Sequence, residues 1–188
     1  MVRGLAWLAA VAFGMAAAQA AEPGGPVVPH DPAAQQEAQR LNRLPPLGPH
    51  GLRPDHSGRK QKGRVSYYAR HFTNRKMANG KRFDPNAEIA ASKTLPLGTT
   101  ARVTNLENGR SATVRVEDRG PWVYGRVVDV TPRVADQLEI RKSGVARVIV
   151  APITVPQPSG TVKLGAGAAE ATPDEVAKAT EETVAAMK

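Results

Sequence analysis

The residues best suited to chemistry lie where a run of alternating apolar residues ends in two acids. Ala112, Val114 and Val116 alternate with polar residues, and Glu117 and Asp118 follow them directly. Asp118 continues the apolar parity, so we expect its carboxyl group to be partly shielded at the end of a strand, while Glu117 points to the opposite face. A shielded carboxyl group suits the general acid of glycosidic cleavage. The same acid, followed by Arg-Gly-Pro, also fits a purely structural exit from a strand into a turn.

Metal centres and nucleophilic triads find little support in the sequence. The chain has no cysteine and 4 histidines, of which only His71 lies near the alternating segments. Single histidines without a second ligand or a paired nucleophile do not make such sites. We therefore expect neither a metal nor a cofactor.

The elements that must position Asp118 are short strands. Residues 101–103 and 112–116 alternate with period two, and Asn108-Gly109 between them is typical of a hairpin turn. Similar patterns predict further strands at 65–69, 126–130 and 145–150. Thr131-Pro132 predicts the start of a short helix whose inward residues are Val134, Ala135 and Leu138. One such helix among several strands indicates a mainly β, barrel-like domain.

The two ends of the chain differ in composition from this region. Arg3, an apolar run over 5–18 and Ala18-Gln19-Ala20 predict a signal peptide over residues 1–20. Residues 21–62 are predicted to be a Pro-rich linker in which Asp31-Pro32 opens a short helix. We expect an exported protein, periplasmic or secreted, that is not lipidated because no cysteine follows the cleavage site.

The C-terminal segment is predicted to be a flexible tail over residues 154–188. Thr172-Pro173-Asp174-Glu175 forms a capping box ahead of an Ala-rich stretch, which we expect to be a frayed helix. The domain is thus expected to span residues 63–153 and to fold without either arm.

The excess of positive charge belongs to this domain. Residues 63–153 contain 16 Lys and Arg against 8 Asp and Glu, and the whole chain has a formal net charge of +9. A positive field favours polyanionic partners, and export argues against nucleic acid, which leaves anionic lipid or a carboxylate-bearing wall polymer. The alternative is that the excess of arginine serves only solubility.

Short motifs recur across the domain in a fixed order and spacing. They are Gly63-Arg64-Val65-Ser66-Tyr67-Tyr68, Ala78-Asn79-Gly80, Phe83-Asp84, Ala90-Ala91-Ser92-Lys93-Thr94-Leu95-Pro96-Leu97-Gly98, Arg102-Val103-Thr104-Asn105-Leu106, Asn108-Gly109-Arg110-Ser111, Asp118-Arg119-Gly120-Pro121 and Gly125-Arg126-Val127-Val128-Asp129-Val130. Together they resemble the RlpA-like, or rare lipoprotein A, family. The resemblance implies a six-stranded double-psi β-barrel with one or two short helices. It also implies an endolytic lytic transglycosylase that cleaves the MurNAc–GlcNAc bonds of peptidoglycan and leaves 1,6-anhydro ends.

The resemblance assigns the catalytic role to Asp118, whose motif is intact. Lys81 stands where the family has a glutamate, and Ser92 stands where it has a histidine. A lysine reverses the local charge and would hold an anionic substrate, whereas a serine donates a hydrogen bond but takes no proton at neutral pH. One carboxyl group can still act first as acid and then as base, because attack by the muramyl 6-hydroxyl needs no water.

Two functions of different class remain open from the sequence. One is a lytic transglycosylase centred on Asp118; the other is a catalytically weak glycan-binding or wall-loosening protein of expansin type that uses the same groove. In either case Arg119 is a candidate for binding substrate carboxylates or hydroxyls, and Tyr67 and Trp122 are candidates for stacking on sugars, although each aromatic residue fits the core equally well. The expected partners are glycan strands and proteins of cell division or wall synthesis, with a monomeric protein, no nucleic acid and no membrane anchor in the mature chain.

Overall fold

The computed structural model describes residues 52–187 of the chain. The predicted signal peptide, the helix expected at Asp31-Pro32 and most of the predicted linker lie outside the described residues.

Seven strands and two helices form the regular structure of the described residues. The strands are β1 (Gln61–Tyr67), β2 (Ile89–Ser92), β3 (Thr100–Asn105), β4 (Ser111–Asp118), β5 (Arg126–Val130), β6 (Val145–Pro156) and β7 (Val162–Leu164). The helices are α1 (Pro132–Gln137) and α2 (Pro173–Ala186), and single 3-10 turns occur at Arg70–Phe72 and Ala168–Glu170.

The strands close into a barrel. Hydrogen bonding follows the order β1-β5-β2-β4-β3-β6, and β6 pairs back with β1. The pairs β1–β5 and β2–β4 are parallel, whereas the other four are antiparallel. The predicted mainly β fold, a six-stranded double-psi β-barrel with two short helices, is confirmed. β7 pairs with the end of β6 outside the ring.

Alternating residues fill the barrel interior, as the period of two requires. Val103 on β3 and Val114 on β4 are buried, and the predicted hairpin joins these two strands. Its turn is fixed by a backbone hydrogen bond from Gly109 N–H to the Asn105 carbonyl, 2.9 Å long. Gly109 has φ +73°, a left-handed conformation that glycine adopts without steric cost.

Helix α1 covers one side of the core. The Thr131 side chain caps the helix by accepting from the backbone N–H of Val134, as predicted. Val134, Ala135 and Leu138 are fully buried. The Leu138 carbonyl accepts side-chain hydrogen bonds from Asn105 and Asn108, so the helix is tied to the hairpin.

The folded unit is longer at its start than the sequence indicates. β1 begins at Gln61, and Asp55 N–H donates to the Thr94 carbonyl at 2.7 Å. His56 Nδ1 lies 2.7 Å from the Pro156 carbonyl oxygen. The last part of the predicted linker is therefore part of the folded unit.

The C-terminal segment is packed rather than flexible, which corrects the expectation of a frayed tail. The predicted capping box is present, with reciprocal bonds between Thr172 and Glu175. Ala179 and Thr183 are buried beneath α2, and Arg102 on β3 forms an ion pair with Glu175 at 3.0 Å. Because only small or polar residues form the buried face, the sequence pattern resembles a solvated helix.

Within residues 52–187, no helix is both long enough and apolar enough to span a lipid bilayer.

Candidate active site

Asp118 is the last residue of β4, and three donors hold its carboxylate. The Tyr68 hydroxyl donates to Oδ2 at 2.8 Å. The backbone N–H groups of Ala78 and Arg119 donate to Oδ1 at 2.8 and 2.9 Å. All three donors are uncharged, so they fix the orientation of a partly buried carboxylate without pairing its charge.

Tyr68 is a site residue that the sequence analysis did not identify. Its ring packs against Phe83 and Phe72, with centroids 4.6 and 5.4 Å away. Burial raises the pKa of the Tyr68 phenol, and the hydrogen bond to Asp118 raises it further. The phenol therefore remains protonated and acts as a permanent donor to the carboxylate.

A turn at residues 77–81 presents the Ala78 N–H to Asp118. The Asn79 side chain accepts from the backbone N–H of Lys81 at 2.9 Å, and Gly80 N–H donates to the Met77 carbonyl at 2.9 Å. Asn79 N–H also donates to the backbone carbonyl of Glu117 at 3.1 Å, which attaches the turn to β4. The Ala-Asn-Gly motif thus has a structural role next to the carboxylate.

Lys81 is directed towards Glu117. Its Nζ lies 3.9 Å from Oε1 of Glu117, and Arg115 Nε lies 2.6 Å from the same oxygen. The Glu117 side chain is only 5% exposed, whereas that of Lys81 is 66% exposed. Glu117 is therefore a buried acid covered by two cations, and Lys81 leaves much of its length open to solvent beside the Asp118 site.

The Arg119 and Ser92 side chains form hydrogen bonds with the backbone of residues 92–95, next to the site. Arg119 Nη1 donates to the carbonyls of Leu95 at 2.6 Å and Ser92 at 3.3 Å. Burial lowers the pKa of Arg119 and the neighbouring Asp118 opposes this, but a guanidinium stays charged in either case. Ser92 is 1% exposed, and its Oγ accepts from Leu95 N–H at 3.2 Å. Both side chains fix the turn at residues 92–95, and their role in substrate binding stays a prediction.

The two aromatic candidates separate in the structure. The Tyr67 hydroxyl donates to the Arg141 carbonyl at 3.3 Å, and the Arg141 guanidinium lies 5.4 Å from its ring centroid. Tyr67 thus packs on a different surface from Tyr68, as consecutive residues of an extended chain do. Trp122 is partly buried beside the Asp118-Arg119-Gly120-Pro121 turn, with Nε1 3.8 Å from the Cβ position of Gly120. Only Trp122 therefore stays close to the site.

A second acid, Asp129, lies two strands away from Asp118 at the same level of the sheet. Ala91 on β2 pairs with Asp118 on one side and with Asp129 on the other. Since paired residues share a face and neighbouring strands are about 4.8 Å apart, the two backbones are separated by roughly 10 Å. Asp129 Oδ1 accepts from Ser66 Oγ at 2.8 Å and from the Arg126 guanidinium. The feature of the sequence that could have identified Asp129 is its position as a polar residue within β5.

Cations surround this second acid. Lys93 Nζ donates to the Val123 carbonyl at 3.3 Å. Burial lowers the pKa of Lys93, and the charge of Arg126 lowers it further, against the opposing effect of Asp129. Tyr68 and Asp118 line one small pocket together with Arg75, Lys76 and Phe83, and we call this pocket the acidic groove.

Among residues 52–187, no group of three or more His, Cys, Asp or Glu side chains is arranged to hold a metal ion.

Known proteins resemble the barrel in sequence. Residues 60–150 match the family model described as "Lytic transglycolase". The "Probable endolytic peptidoglycan transglycosylase RlpA" of Synechocystis sp. is 49% identical over 86 residues, which cover 46% of this chain and 27% of that protein. The "Endolytic peptidoglycan transglycosylase RlpA" of Neisseria meningitidis serogroup B is 44% identical over 102 residues, covering 54% of this chain and 42% of that protein. The match thus spans well under half the length of these relatives.

Solved structures give a weaker likeness. The Streptomyces papain inhibitor is 23% identical with a TM-score of 0.40, covering 50% of this chain and 94% of the inhibitor. The apo Clavibacter michiganensis expansin is 17% identical with a TM-score of 0.40, covering 50% of each chain. The family match and the RlpA relatives agree with the motifs and with the closed barrel, and residues 60–150 are thus similar in sequence to the RlpA-like family.

Proposed function

We propose that this protein is an endolytic lytic transglycosylase that cleaves MurNAc–GlcNAc bonds in peptidoglycan glycan strands. The observation that carries the proposal is the Asp118 carboxylate, oriented by three uncharged donors at the edge of a groove. The curated relatives named endolytic peptidoglycan transglycosylases match the part of the chain that builds this site.

Asp118 serves as both acid and base in the proposed mechanism. Its protonated carboxyl group gives a proton to the glycosidic oxygen as the C1–O bond breaks, and the bonding electron pair leaves with the GlcNAc oxygen. The carboxylate then takes the proton of the muramyl 6-hydroxyl while that oxygen bonds to the electron-poor C1. The products are a free GlcNAc hydroxyl and a 1,6-anhydro ring, and Asp118 is protonated again.

The surroundings of Asp118 suit this cycle. Tyr68, Ala78 and Arg119 hold the carboxylate in one orientation, so that its oxygens keep the same position for both proton transfers. Trp122 provides an apolar surface for a sugar ring.

The proposed place of action is outside the cytoplasm, where peptidoglycan lies. The predicted signal peptide over residues 1–20 supports this location. The positive charge of the domain suits a carboxylate-bearing polymer, and proteins of cell division or wall synthesis are the proposed further partners. We propose that the mature protein acts as a monomer without a lipid anchor.

One observation favours the second function, a catalytically weak glycan-binding or wall-loosening protein. Lys81 and Ser92 replace the two polar groups implied by the family resemblance, and Ser92 is buried with its Oγ bonded to the backbone. Neither position therefore carries a carboxyl or an imidazole group.

Incubation with peptide-stripped sacculi distinguishes the two functions. The full mature chain is incubated with the sacculi, and soluble and insoluble fractions are analysed by mass spectrometry for 1,6-anhydro ends. Release above that of Asp118→Asn supports the transglycosylase. Retention of the protein on the sacculi without anhydro ends supports the glycan-binding function, and neither retention nor release contradicts both.

A further inference from the structure

Helix α2 contacts the barrel through a chain of buried hydroxyl groups. Thr154 on β6 lies 2.8 Å, oxygen to oxygen, from Thr183 on α2, and Thr183 Oγ1 donates to the Gly98 carbonyl at 3.1 Å. Both threonines are fully buried. The helix lies beyond residues 60–150, so this contact is additional to the part that matches the family.

The carbonyl that receives this bond belongs to a segment that contacts residues both before and after Asp118 in the sequence. Gly98 N–H donates to the Val116 carbonyl at 2.8 Å, and Val116 N–H donates to the Thr99 carbonyl at 2.9 Å. At its other end the segment receives the 2.6 Å hydrogen bond from Arg119 Nη1 to the Leu95 carbonyl. Residues 95–99 therefore bond to Val116, two residues before Asp118, and to Arg119, one residue after it.

The fit between α2 and this segment is close. A Cβ atom on Gly98 would lie 3.2 Å from the Cβ of Ala186, and Gly98 has φ +86°. A side chain here would require both a strained backbone and a displacement of the helix. The last turn of α2 thus rests directly on the turn at Gly98.

A second set of contacts links the same helix to the turn that donates to Asp118. Glu182 Oε2 lies 4.0 Å from Arg115 Nη1, and Arg115 Nε lies 2.6 Å from Glu117 Oε1. Lys81 lies on the other side of Glu117 at 3.9 Å. The two outer ion pairs are long and partly exposed, so the hydroxyl chain is the stronger of the two links.

We propose that α2 is a positioning element for the Asp118 site and that Thr183 is its main positioning residue. Its hydroxyl fixes residues 95–99, which fix Arg119 and the end of β4, and these place the Asp118 carboxylate. The activity readout of this proposal rests on the proposed function. A loss of position of the order of 1 Å at a catalytic group lowers turnover steeply.

The test compares three variants of the full chain. Thr183→Val removes the hydroxyl, and Thr183→Ser keeps it. Thr180→Val makes the same change on the same helix where the hydroxyl bonds only to the helix's own Val176 carbonyl. Release of anhydro ends at saturating glycan, retention on sacculi, and hydrogen exchange of residues 95–99 and 116–119 are measured well below each melting temperature.

We expect Thr183→Val to lower turnover about tenfold or more while glycan retention stays within about twofold. Exchange of the two segments should become faster. Thr183→Ser should restore both properties, and Thr180→Val should match the wild type. If Thr183→Val does not fold, Thr183→Cys, which has similar volume and a weak donor, replaces it with the same expectations.

A lower melting temperature with unchanged turnover and exchange would show a purely structural role and overturn the proposal. An equal effect of Thr180→Val would also overturn it. If the wild type itself releases no anhydro ends, the proposed function fails but the positioning role is still decided by exchange. Faster exchange in Thr183→Val than in Thr180→Val then supports it, and equal exchange rejects it.

Discussion

Two adjacent acids end β4, and their surroundings differ in kind. Glu117 is buried beneath Arg115 and Lys81, so a guanidinium and an ammonium face its carboxylate. Asp118 is partly open, and its three hydrogen-bond donors are a phenol and two backbone N–H groups. The guanidinium of the next residue, Arg119, donates instead to the carbonyls of Leu95 and Ser92.

The type of partner, rather than sequence position, therefore distinguishes the proposed catalytic acid from the buried structural one. Cations that cover an acid neutralise its charge, so such an acid stabilises the fold and attracts a ligand only weakly. An acid held by neutral donors has a fixed orientation, and its carboxyl group stays available for proton transfer.

The largest expected effect is that of Asp118→Asn. The change is nearly isosteric, so the melting temperature and retention on sacculi should change little. Release of anhydro ends should fall by about 10²–10⁴-fold, the usual contribution of a positioned acid–base group. Mass spectrometry of digested peptide-stripped sacculi measures the loss, and equal release by wild type and variant would end the assignment of Asp118.

Glu117→Gln is the matched control for this experiment. It removes the charge that faces Arg115 and Lys81, so the free energy of unfolding should fall by about 1–3 kcal/mol. Turnover of the folded variant should stay within about threefold of the wild type, since the acid does not touch the groove. Denaturant unfolding gives the first quantity. A loss of turnover as large as that of Asp118→Asn would show that the two acids act together and would break the comparison.

Local patterns predicted the parts of the fold that local physics determines. The Asn108-Gly109 hairpin and the cap at Thr131 each depend on a few adjacent residues, and both are confirmed. The strand at 126–130 was also predicted with its observed bounds. In contrast, β2 has four consecutive buried residues and no alternation, so its pattern gave no signal of a strand.

The site was predicted only where one strand determines it. Asp118 follows from the pattern of β4, but Tyr68, Ala78 and Asp129 reach the same place from other elements. Contacts of this kind depend on strand register and loop closure, which one sequence does not reveal. The packing of α2 was missed for a related reason, because its buried residues are only small or polar.

The next prediction concerns the residues implied by the family resemblance. Restoring them with Lys81→Glu and Ser92→His should raise turnover, by up to about 10²-fold, if the lost groups limit the natural protein. The same change should lower the melting temperature, because an imidazole overpacks the buried site of Ser92 and a second acid faces Glu117. Unchanged turnover in a folded double variant would show that these groups are not limiting. Activity that appears only in the double variant would support the glycan-binding function for the natural chain.

A smaller effect is expected for Tyr68→Phe. The variant keeps the ring between Phe72 and Phe83 and removes only the donor to Asp118. A hydrogen bond to a charged group is worth about 1.5–3 kcal/mol, so turnover should fall roughly 10–100-fold. Tyr67→Phe is the control, because that hydroxyl bonds to the Arg141 carbonyl on another surface. Equal losses in the two variants would contradict the separation of the two tyrosines.

The smallest effect is on stability at high pH. Burial, followed by the bond to Asp118, raises the pKa of Tyr68 in the folded protein. Above about pH 10 the phenol of the unfolded chain loses its proton while the folded one keeps it, so the unfolded state binds fewer protons. The contribution of Tyr68 to stability is therefore complete below about pH 10 and decreases as the pH rises further.

Denaturant unfolding of wild type and Tyr68→Phe across this pH range measures that contribution. The free energy of unfolding should fall more steeply with pH in the wild type, so the difference between the two proteins should shrink above about pH 10. All groups other than Tyr68 are the same in both proteins, so their effects cancel in the difference. Tyr124→Phe, which removes an exposed phenol, controls for the loss of one tyrosine. Parallel curves for wild type and Tyr68→Phe would show that the phenol is not held as a buried donor, and Asp118 would then lose one of the neutral partners that distinguish it from Glu117.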